Sequence, residues 1–196
     1  MRFSPREKRE IGIAMAVLTL AFSFILVRGP ALADVFALNY MIYLGVSFLL
    51  VLSGFMMHEL AHKFMAQRYG AWAEFRMFPR GLAFALLLSL TGILFAAPGA
   101  VYISGRINER QNGIISAAGP VSNMIIGAIA LIGAILVGGG LLGYALLLIA
   151  TINVFLGLFN LIPIHPLDGS KVLRWNRPAY AALVATGLLM MALIYL

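Results

Sequence analysis

The stretch "SGFMMHELAHKFMAQRYG", residues 53–70, decides the fold, because it places His58, Glu59 and His62 at the end of a long apolar run. That run, residues 40–57, carries no charged side chain. About 20 predominantly apolar residues are enough to cross a bilayer as a helix. Ionisable side chains at membrane depth are costly and usually mark a functional site. The stretch therefore predicts a membrane-spanning helix with a polar cluster that needs a compensating partner.

The composition of the whole chain agrees with a membrane protein. Of its 196 residues 62% are hydrophobic and 11% are charged, whereas soluble domains are about 45–50% apolar and about 25% charged. We therefore expect an all-α polytopic membrane protein in a lipid bilayer. The chain has no cysteine, which excludes disulfides and thiolate chemistry. Its net charge of +7 comes from short basic clusters beside apolar runs, a placement typical of the positive-inside bias rather than of nucleic-acid binding.

Hydropathy predicts about five to six transmembrane helices. Five segments are long enough to span, namely residues 10–28, 39–66, 113–138, 141–163 and 178–196. A sixth apolar stretch, residues 81–97, lies between Arg80 and Arg110, and the positive-inside bias puts both of those residues on the cytoplasmic side. We expect residues 81–105 to re-enter the membrane or to lie at its surface, with a sixth spanning helix as the alternative. Within this segment "AVYIS", residues 100–104, predicts a short β-strand.

The H-E-x-x-H pattern at residues 58–62 is typical of a zinc site. Two histidines four residues apart lie on one face of a helix and can share a metal ion. Glu59 points away from that face, so it is placed to reach a metal-bound water rather than the metal. There it can take a proton from the water and pass it to a leaving amine. A haem or ion-transport site is an alternative interpretation of the histidines alone.

A third ligand is expected in "FNLIPIHPLDGSKVLRW", residues 159–175, the other place where metal-binding side chains abut an apolar helix. Pro163 and Pro166 prevent a regular helix there, and the kinked backbone can direct Asp168 inward. His165 is the other candidate ligand in this segment. We favour Asp168, because an unpaired carboxylate beside an apolar helix costs more than a neutral imidazole.

Two amides complete the set of candidate site residues. In "AAGPVSN", residues 117–123, Gly119 and Pro120 are expected to open a helix, with Asn123 one turn further on. Asn160 precedes the proline-rich segment. Each amide could stabilise an oxyanion or hold a substrate backbone. Packing between helices is an equally good interpretation, because amides commonly bridge membrane helices.

Together the three motifs resemble the site-2 protease family of intramembrane zinc metalloproteases, in its compact prokaryotic form without a PDZ or CBS domain. The family pattern is H-E-x-x-H, then G-P-x-x-N, then N-x-x-P-x-x-P-L-D-G. This chain has those motifs, in that order, at residues 58–62, 119–123 and 160–169. His165 departs from the family, where an apolar or aromatic residue is more usual.

The resemblance implies a single transmembrane protease domain over residues 1–196 that holds one Zn²⁺ per chain. It implies His58, His62 and Asp168 as zinc ligands and Glu59 as the general base and acid. It also implies that Asn123 and Asn160 lie near the substrate, and that a β element before the G-P motif pairs with an unwound transmembrane substrate. The strand residues Val101, Tyr102 and Ile103 fit that last role.

The function that we expect is an intramembrane zinc endopeptidase of the cell membrane, with its active site toward the cytoplasmic side. Its substrates would be transmembrane proteins that present an extended strand. A metal-ion or proton transporter that uses the same histidines and Asp168 is the alternative. Few polar residues beyond Thr151 and Asn153 lie along a path to the outer face, which counts against transport.

Overall fold

The computed structural model describes residues 1–27, 40–93 and 96–196. Within these ranges the chain forms seven helices and a small antiparallel sheet of two strands. In chain order they are α1 (Pro5–Leu26), α2 (Tyr40–Arg68), β1 (Trp72–Met77), α3 (Pro79–Ser89), β2 (Gly99–Ser104), α4 (Glu109–Val137), α5 (Gly140–Asn160), α6 (Asp168–Trp175) and α7 (Arg177–Tyr195).

Five of these helices, α1, α2, α4, α5 and α7, are long and apolar enough to cross a membrane. The predicted all-α polytopic membrane protein is therefore confirmed. The predicted spans 113–138, 141–163 and 178–196 differ from α4, α5 and α7 by a few residues at their ends. The end of the first predicted span at residue 28 and the start of the second at residue 39 lie outside the described residues. Helix α6 was not predicted.

The described residues form two compact units, of which the first comprises residues 1–52 and 74–102. In this unit α1 packs against the first part of α2 and against α3. Ala14, Leu18 and Ala21 of α1 are buried, and their spacing of four and three residues forms one helical stripe. The hydroxyl groups of Ser23 and Tyr40, 2.7 Å apart, join α1 to the start of α2.

Two buried carboxylates of α1 hold strand β1. Glu7 accepts a hydrogen bond of 2.8 Å from the backbone N–H of Phe75, and Glu10 accepts one of 3.0 Å from that of Met77. A strand edge otherwise presents unpaired N–H groups to its surroundings. These carboxylates therefore cover the outer edge of β1 at two successive outward-facing positions.

The segment between the strands leaves the sheet and returns to it. Helix α3 has 11 residues, well short of the roughly 20 that a spanning helix needs. The backbone N–H of Phe78 donates to the carbonyl of Pro98 at 2.9 Å, so the two ends of the segment meet. The expected β element is present as β2, and α3 is the helix that the described residues form within 81–97. That residues 81–105 re-enter the membrane or lie at its surface stays a prediction.

The second unit comprises residues 53–73 and 103–196. Helix α4 is its centre and packs against α5, α6, α7 and the last part of α2 (Met57–Arg68). Helices α5 and α6 also contact α7. Just before Met57, residues Leu52–Met56 of α2 form a π-helical turn.

The expectation that Gly119 and Pro120 open a helix was wrong, because α4 begins at Glu109 and carries Pro120 in its interior. Asn108 and Gln111 form a capping box, in which each side chain bonds the backbone N–H of the other. That pattern is a recognised helix start. It predicts the N-terminus of α4 better than the proline does. Within α4, the proline removes one N–H from the hydrogen-bond ladder.

Topology can be tested by labelling single cysteines, since the natural chain has none. We expect Arg80→Cys and Arg106→Cys to react with an impermeant maleimide from the same side of the membrane, because no described helix between them is long enough to span. Gly139→Cys should react from the opposite side, since α4 crosses once, and a Cβ there meets no atom within 4 Å. Labelling of positions 80 and 106 from opposite sides would contradict the re-entrant segment.

Candidate active site

His58 and His62 lie one helical turn apart on α2, directly after the π-helical turn. Both side chains are buried, although each is ionisable. Their rings meet edge to face with centroids 4.6 Å apart, and their Nε2 atoms are 3.0 Å apart. The four-residue spacing therefore brings both imidazoles to one point, as the sequence predicted.

Asp168 meets the two histidines from the first residue of α6. The segment between α5 and α6 is not helical and contains Pro163 and Pro166. Its turn requires Gly169, because a Cβ there would collide with the backbone carbonyl of Leu161. One carboxylate oxygen of Asp168, Oδ2, lies 3.3 Å from Nε2 of His58 and 3.1 Å from Nε2 of His62.

The outward nitrogen of each histidine has a hydrogen-bond acceptor. Nδ1 of His58 lies 2.6 Å from Oδ1 of Asn123, and Nδ1 of His62 lies 2.7 Å from the backbone carbonyl of Ile115. Since a carbonyl oxygen only accepts, each Nδ1 carries the proton and each Nε2 presents a lone pair in the neutral ring. This is the outer support that metal-ligating histidines normally have.

The donor set suits zinc. Two imidazole nitrogens and a carboxylate oxygen face one another, so a cation can lie among them. In a tetrahedral zinc site with bonds of about 2.0–2.1 Å, neighbouring donor atoms are about 3.3 Å apart. The observed separations are 3.0, 3.1 and 3.3 Å. His58, His62 and Asp168 could therefore hold a metal ion, and they form the group with this geometry among the described residues.

Electrostatics keep Asp168 ready to act as a ligand. Burial by itself raises the pKa of this carboxyl, but the facing histidine rings, when both of their nitrogens are protonated, outweigh burial and hold its pKa well below the ordinary value. Its other oxygen, Oδ1, lies 3.6 Å from Nζ of Lys171 one turn further along α6. The carboxylate is therefore ionised, with one oxygen toward the histidines and the other toward a cation.

Gly119 leaves room for the site. A Cβ at this position would lie 2.5 Å from Nε2 of His58 and 2.5 Å from Nε2 of His62. Any side chain would therefore occupy the space in front of the atoms that face the carboxylate. The close packing expected for Gly119 is observed, and its partners are the histidines themselves.

Glu59 is buried beside His58, and its carboxylate is close enough to His62 to interact with it electrostatically. Glu59 is one residue from His58 on α2, so it does not share the helix face of the two histidines.

The structure places the other predicted site residues differently. Asn123 is fully buried, and its two amide hydrogens go to the Gly54 carbonyl and to Oδ1 of Asn153. It has no N–H left for a substrate oxygen, so the expected oxyanion role does not fit this geometry. Asn160 is half-buried at the end of α5 and donates to the carbonyl of Leu156.

His165, the alternative third ligand, is exposed and lies outside the metal-binding group. In β2, Val101 and Ile103 are half-buried, whereas Tyr102 is 61% exposed.

Sequence reasoning missed three contributors to the site. The carbonyl of Ile115 has no signature, because every residue carries one. Lys171 lies three residues after Asp168, and on a helix this spacing predicts the contact that the structure shows. Asn153 was considered only as a polar residue in an apolar helix, and it proves to contact Asn123.

A polytopic helical bundle with two buried histidines and a carboxylate defines a membrane metalloprotein. Comparison with known sequences gives the family. The profile of Peptidase family M50 matches residues 138–181. MJ0611 of Methanocaldococcus jannaschii, named as a candidate zinc metalloprotease, is 38% identical over 184 residues, which cover 89% of this chain and 87% of the relative. The chain therefore belongs to peptidase family M50, the site-2 protease family of zinc metalloproteases.

Two more distant relatives agree. The zinc metalloprotease MJ0392 of the same organism is 29% identical over 176 residues, which are 89% of this chain and 45% of the relative. Rip3 of Mycobacterium tuberculosis, also named as a candidate zinc metalloprotease, is 30% identical over 138 residues, which are 65% of this chain and 30% of the relative. This chain thus spans less than half the length of either. No solved structure matches it.

The space at Gly119 yields a direct test. Gly119→Ala should lose most bound zinc, because its methyl group would lie against both histidine Nε2 atoms. Metal content of purified protein, measured by mass spectrometry, checks this. Gly133→Ala on the same helix is the control, since a Cβ there meets its nearest neighbour, Leu146, at 3.4 Å. Full zinc occupancy in Gly119→Ala would show that the histidine nitrogens do not hold the metal here.

Proposed function

We propose that this membrane zinc metalloprotease is an intramembrane endopeptidase, which hydrolyses peptide bonds within or near transmembrane segments of other proteins. The observation that carries the proposal is the position of the donor set. His58, His62 and Asp168 offer ligand atoms within 4.8 Å of one another, and two of them belong to a helix long and apolar enough to span. A hydrolytic centre at that depth acts on peptide bonds that water reaches poorly.

In this proposal His58, His62 and Asp168 would hold one zinc ion. When bound, zinc supplies a Lewis acid that activates water at neutral pH. Glu59 accepts the proton of the water that attacks the peptide carbonyl carbon. As the C–N bond breaks, Glu59 passes that proton to the leaving amine, so the protonation of the enzyme is restored. Asn123 and Ile115 act on the histidines and not on the substrate.

A transmembrane substrate must unwind before it can react, because its carbonyls are engaged in helical hydrogen bonds. The unwound backbone needs new partners, and a sheet edge offers them by strand addition. Glu7 and Glu10 bind the outer edge of β1. We propose β2, through residues 101–103, as the strand that the substrate joins. We retain Asn160 as the amide that contacts substrate.

We place the active site toward the cytoplasmic side, on the basis of the basic residues near the ends of α2 and α6. The cell membrane of a prokaryote is the proposed location. Membership of a metalloprotease family supports hydrolysis over the alternative, transport of a metal ion or protons.

Replacing the proposed base separates chemistry from binding. Glu59→Gln keeps the shape of the side chain but cannot accept the proton of water. Cleavage of a synthetic transmembrane peptide should fall by roughly 10²–10⁴-fold, the usual contribution of a general base, while zinc content stays at the level of the unmodified protein. Mass spectrometry of the products should place the cleaved bond inside the apolar stretch. Turnover near normal in Glu59→Gln would contradict this mechanism.

The assignment of the third ligand has its own test. Asp168→Ala should lose activity and most zinc, because it removes one of the three facing atoms. His165→Ala should keep its zinc and at least part of its activity, because His165 is exposed and outside the donor set. Zinc retained in Asp168→Ala and lost in His165→Ala would reverse the assignment.

A further inference from the structure

A second buried amide lies behind Asn123, on a helix that contributes no predicted ligand. Asn153 of α5 is fully buried. Its Oδ1 accepts from Nδ2 of Asn123 at 3.0 Å, and its Nδ2 donates to Oγ of Ser53 at 3.1 Å and to the carbonyl of Ile149 at 2.9 Å. The side chain therefore connects α5 to both α4 and α2.

The direction of this hydrogen-bond chain is determined by backbone groups. The carbonyl of Ile149 can only accept, so it identifies the Nδ2 side of Asn153. The carbonyl of Gly54 accepts from Nδ2 of Asn123 at 2.8 Å and identifies that amide in the same way. Neither side chain can flip without placing an oxygen against a carbonyl. Oδ1 of Asn123 must therefore face Nδ1 of His58.

The π-helical turn provides the backbone carbonyl, that of Gly54, to which Asn123 donates. Gly54 lies within the π-helical turn Leu52–Met56, and π turns widen the helix and are frequent at functional sites. A Cβ on Gly54 would lie 2.9 Å from Leu156 and 3.4 Å from Ile152. Helix α5 thus approaches α2 closely, four residues before His58, at the level where the two amides meet.

We propose that Asn153 is a positioning residue for the metal centre, which acts through Asn123 to hold His58 with its proton on Nδ1 and its Nε2 lone pair toward the metal. The proposal rests on the proposed function, in which His58 is a zinc ligand. Asn153 itself touches neither zinc nor substrate. Of the two histidines, only His58 is oriented by the Asn153–Asn123 hydrogen bonds, because the backbone carbonyl of Ile115 orients His62.

The competing explanation is that Asn153 merely joins helices, as amides do in many membrane proteins. The two explanations differ in whether the effect of Asn153 depends on the presence of Asn123. A packing residue contributes to the stability of the bundle whether or not Asn123 is present, whereas a positioning residue loses its effect on zinc once Asn123 is gone.

The experiment measures zinc affinity of the purified full chain by competition with a chromophoric chelator. Asn153→Ala and Asn153→Leu both remove the amide, one by leaving space and the other by filling it. Either should lower zinc affinity about tenfold, at the lower end of the 10–100-fold that outer-shell partners contribute. Visible spectra of the cobalt-substituted proteins should shift as well. Thr151→Val is the control, since its hydroxyl bonds only the Leu147 carbonyl of its own helix among its described contacts.

A double-variant cycle decides between the two explanations. Asn123→Ala alone should lower zinc affinity, and adding Asn153→Ala should lower it no further, because the effect passes through the missing amide. Unchanged zinc affinity in both single Asn153 variants, or an equal additional loss in the double variant, would overturn the proposal.

His58→Ala separates this proposal from the proposed function on which it rests. Zinc retained in His58→Ala would contradict the assignment of His58 as a zinc ligand. Zinc lost in His58→Ala but bound normally by both Asn153 variants would remove only the positioning role.

Discussion

The active site depends on the close approach of three hydrogen-bond acceptor atoms inside an apolar group of helices. Two histidine lone pairs and one carboxylate oxygen lie 3.0–3.3 Å apart, and without a cation among them they would repel. Burial increases that repulsion, because the surroundings screen charge poorly. The same burial makes a bound cation more favourable. An arrangement that is costly by itself is therefore well matched to a metal ion, and the helices around it are what keep the three atoms from separating.

Several local departures from regular helix bring these atoms together. The π-helical turn before His58, the proline inside α4 and the non-helical segment before α6 all lie beside the site. Each interrupts the regular backbone hydrogen bonds of a helix, so that a backbone N–H or carbonyl group loses its usual helical partner or is missing. Irregular backbone at membrane depth is tolerated only where protein contacts satisfy its polar groups, and the amides of Asn123 and Asn153 provide such contacts. The departures are thus part of the site and not defects of the spans.

The sequence was informative where one residue's chemistry implied one geometry. The spacing of His58 and His62 predicts a shared face, and a carboxylate beside an apolar helix predicts a partner for Asp168. It was less informative where a partner is a backbone group or a distant residue. Glu7 and Glu10 carry no sequence signal of a distant partner, yet they bind the N–H groups of a strand about 68 residues away in the chain. Pro120 misled because a proline can begin a helix or lie inside one, and only the capping box at Asn108 distinguishes the two cases.

The two histidines are supported in different ways, and this difference has a consequence. His62 is oriented by a backbone carbonyl, which no substitution can remove and which moves only if α4 moves. His58 is oriented by a side-chain amide that is itself held by a second amide and a glycine carbonyl. One ligand is therefore as rigid as the bundle, whereas the affinity of the other can change through substitutions that leave the fold intact. Variation in zinc affinity among related chains should accordingly be concentrated on the His58 side of the site, in the residues that meet Asn123.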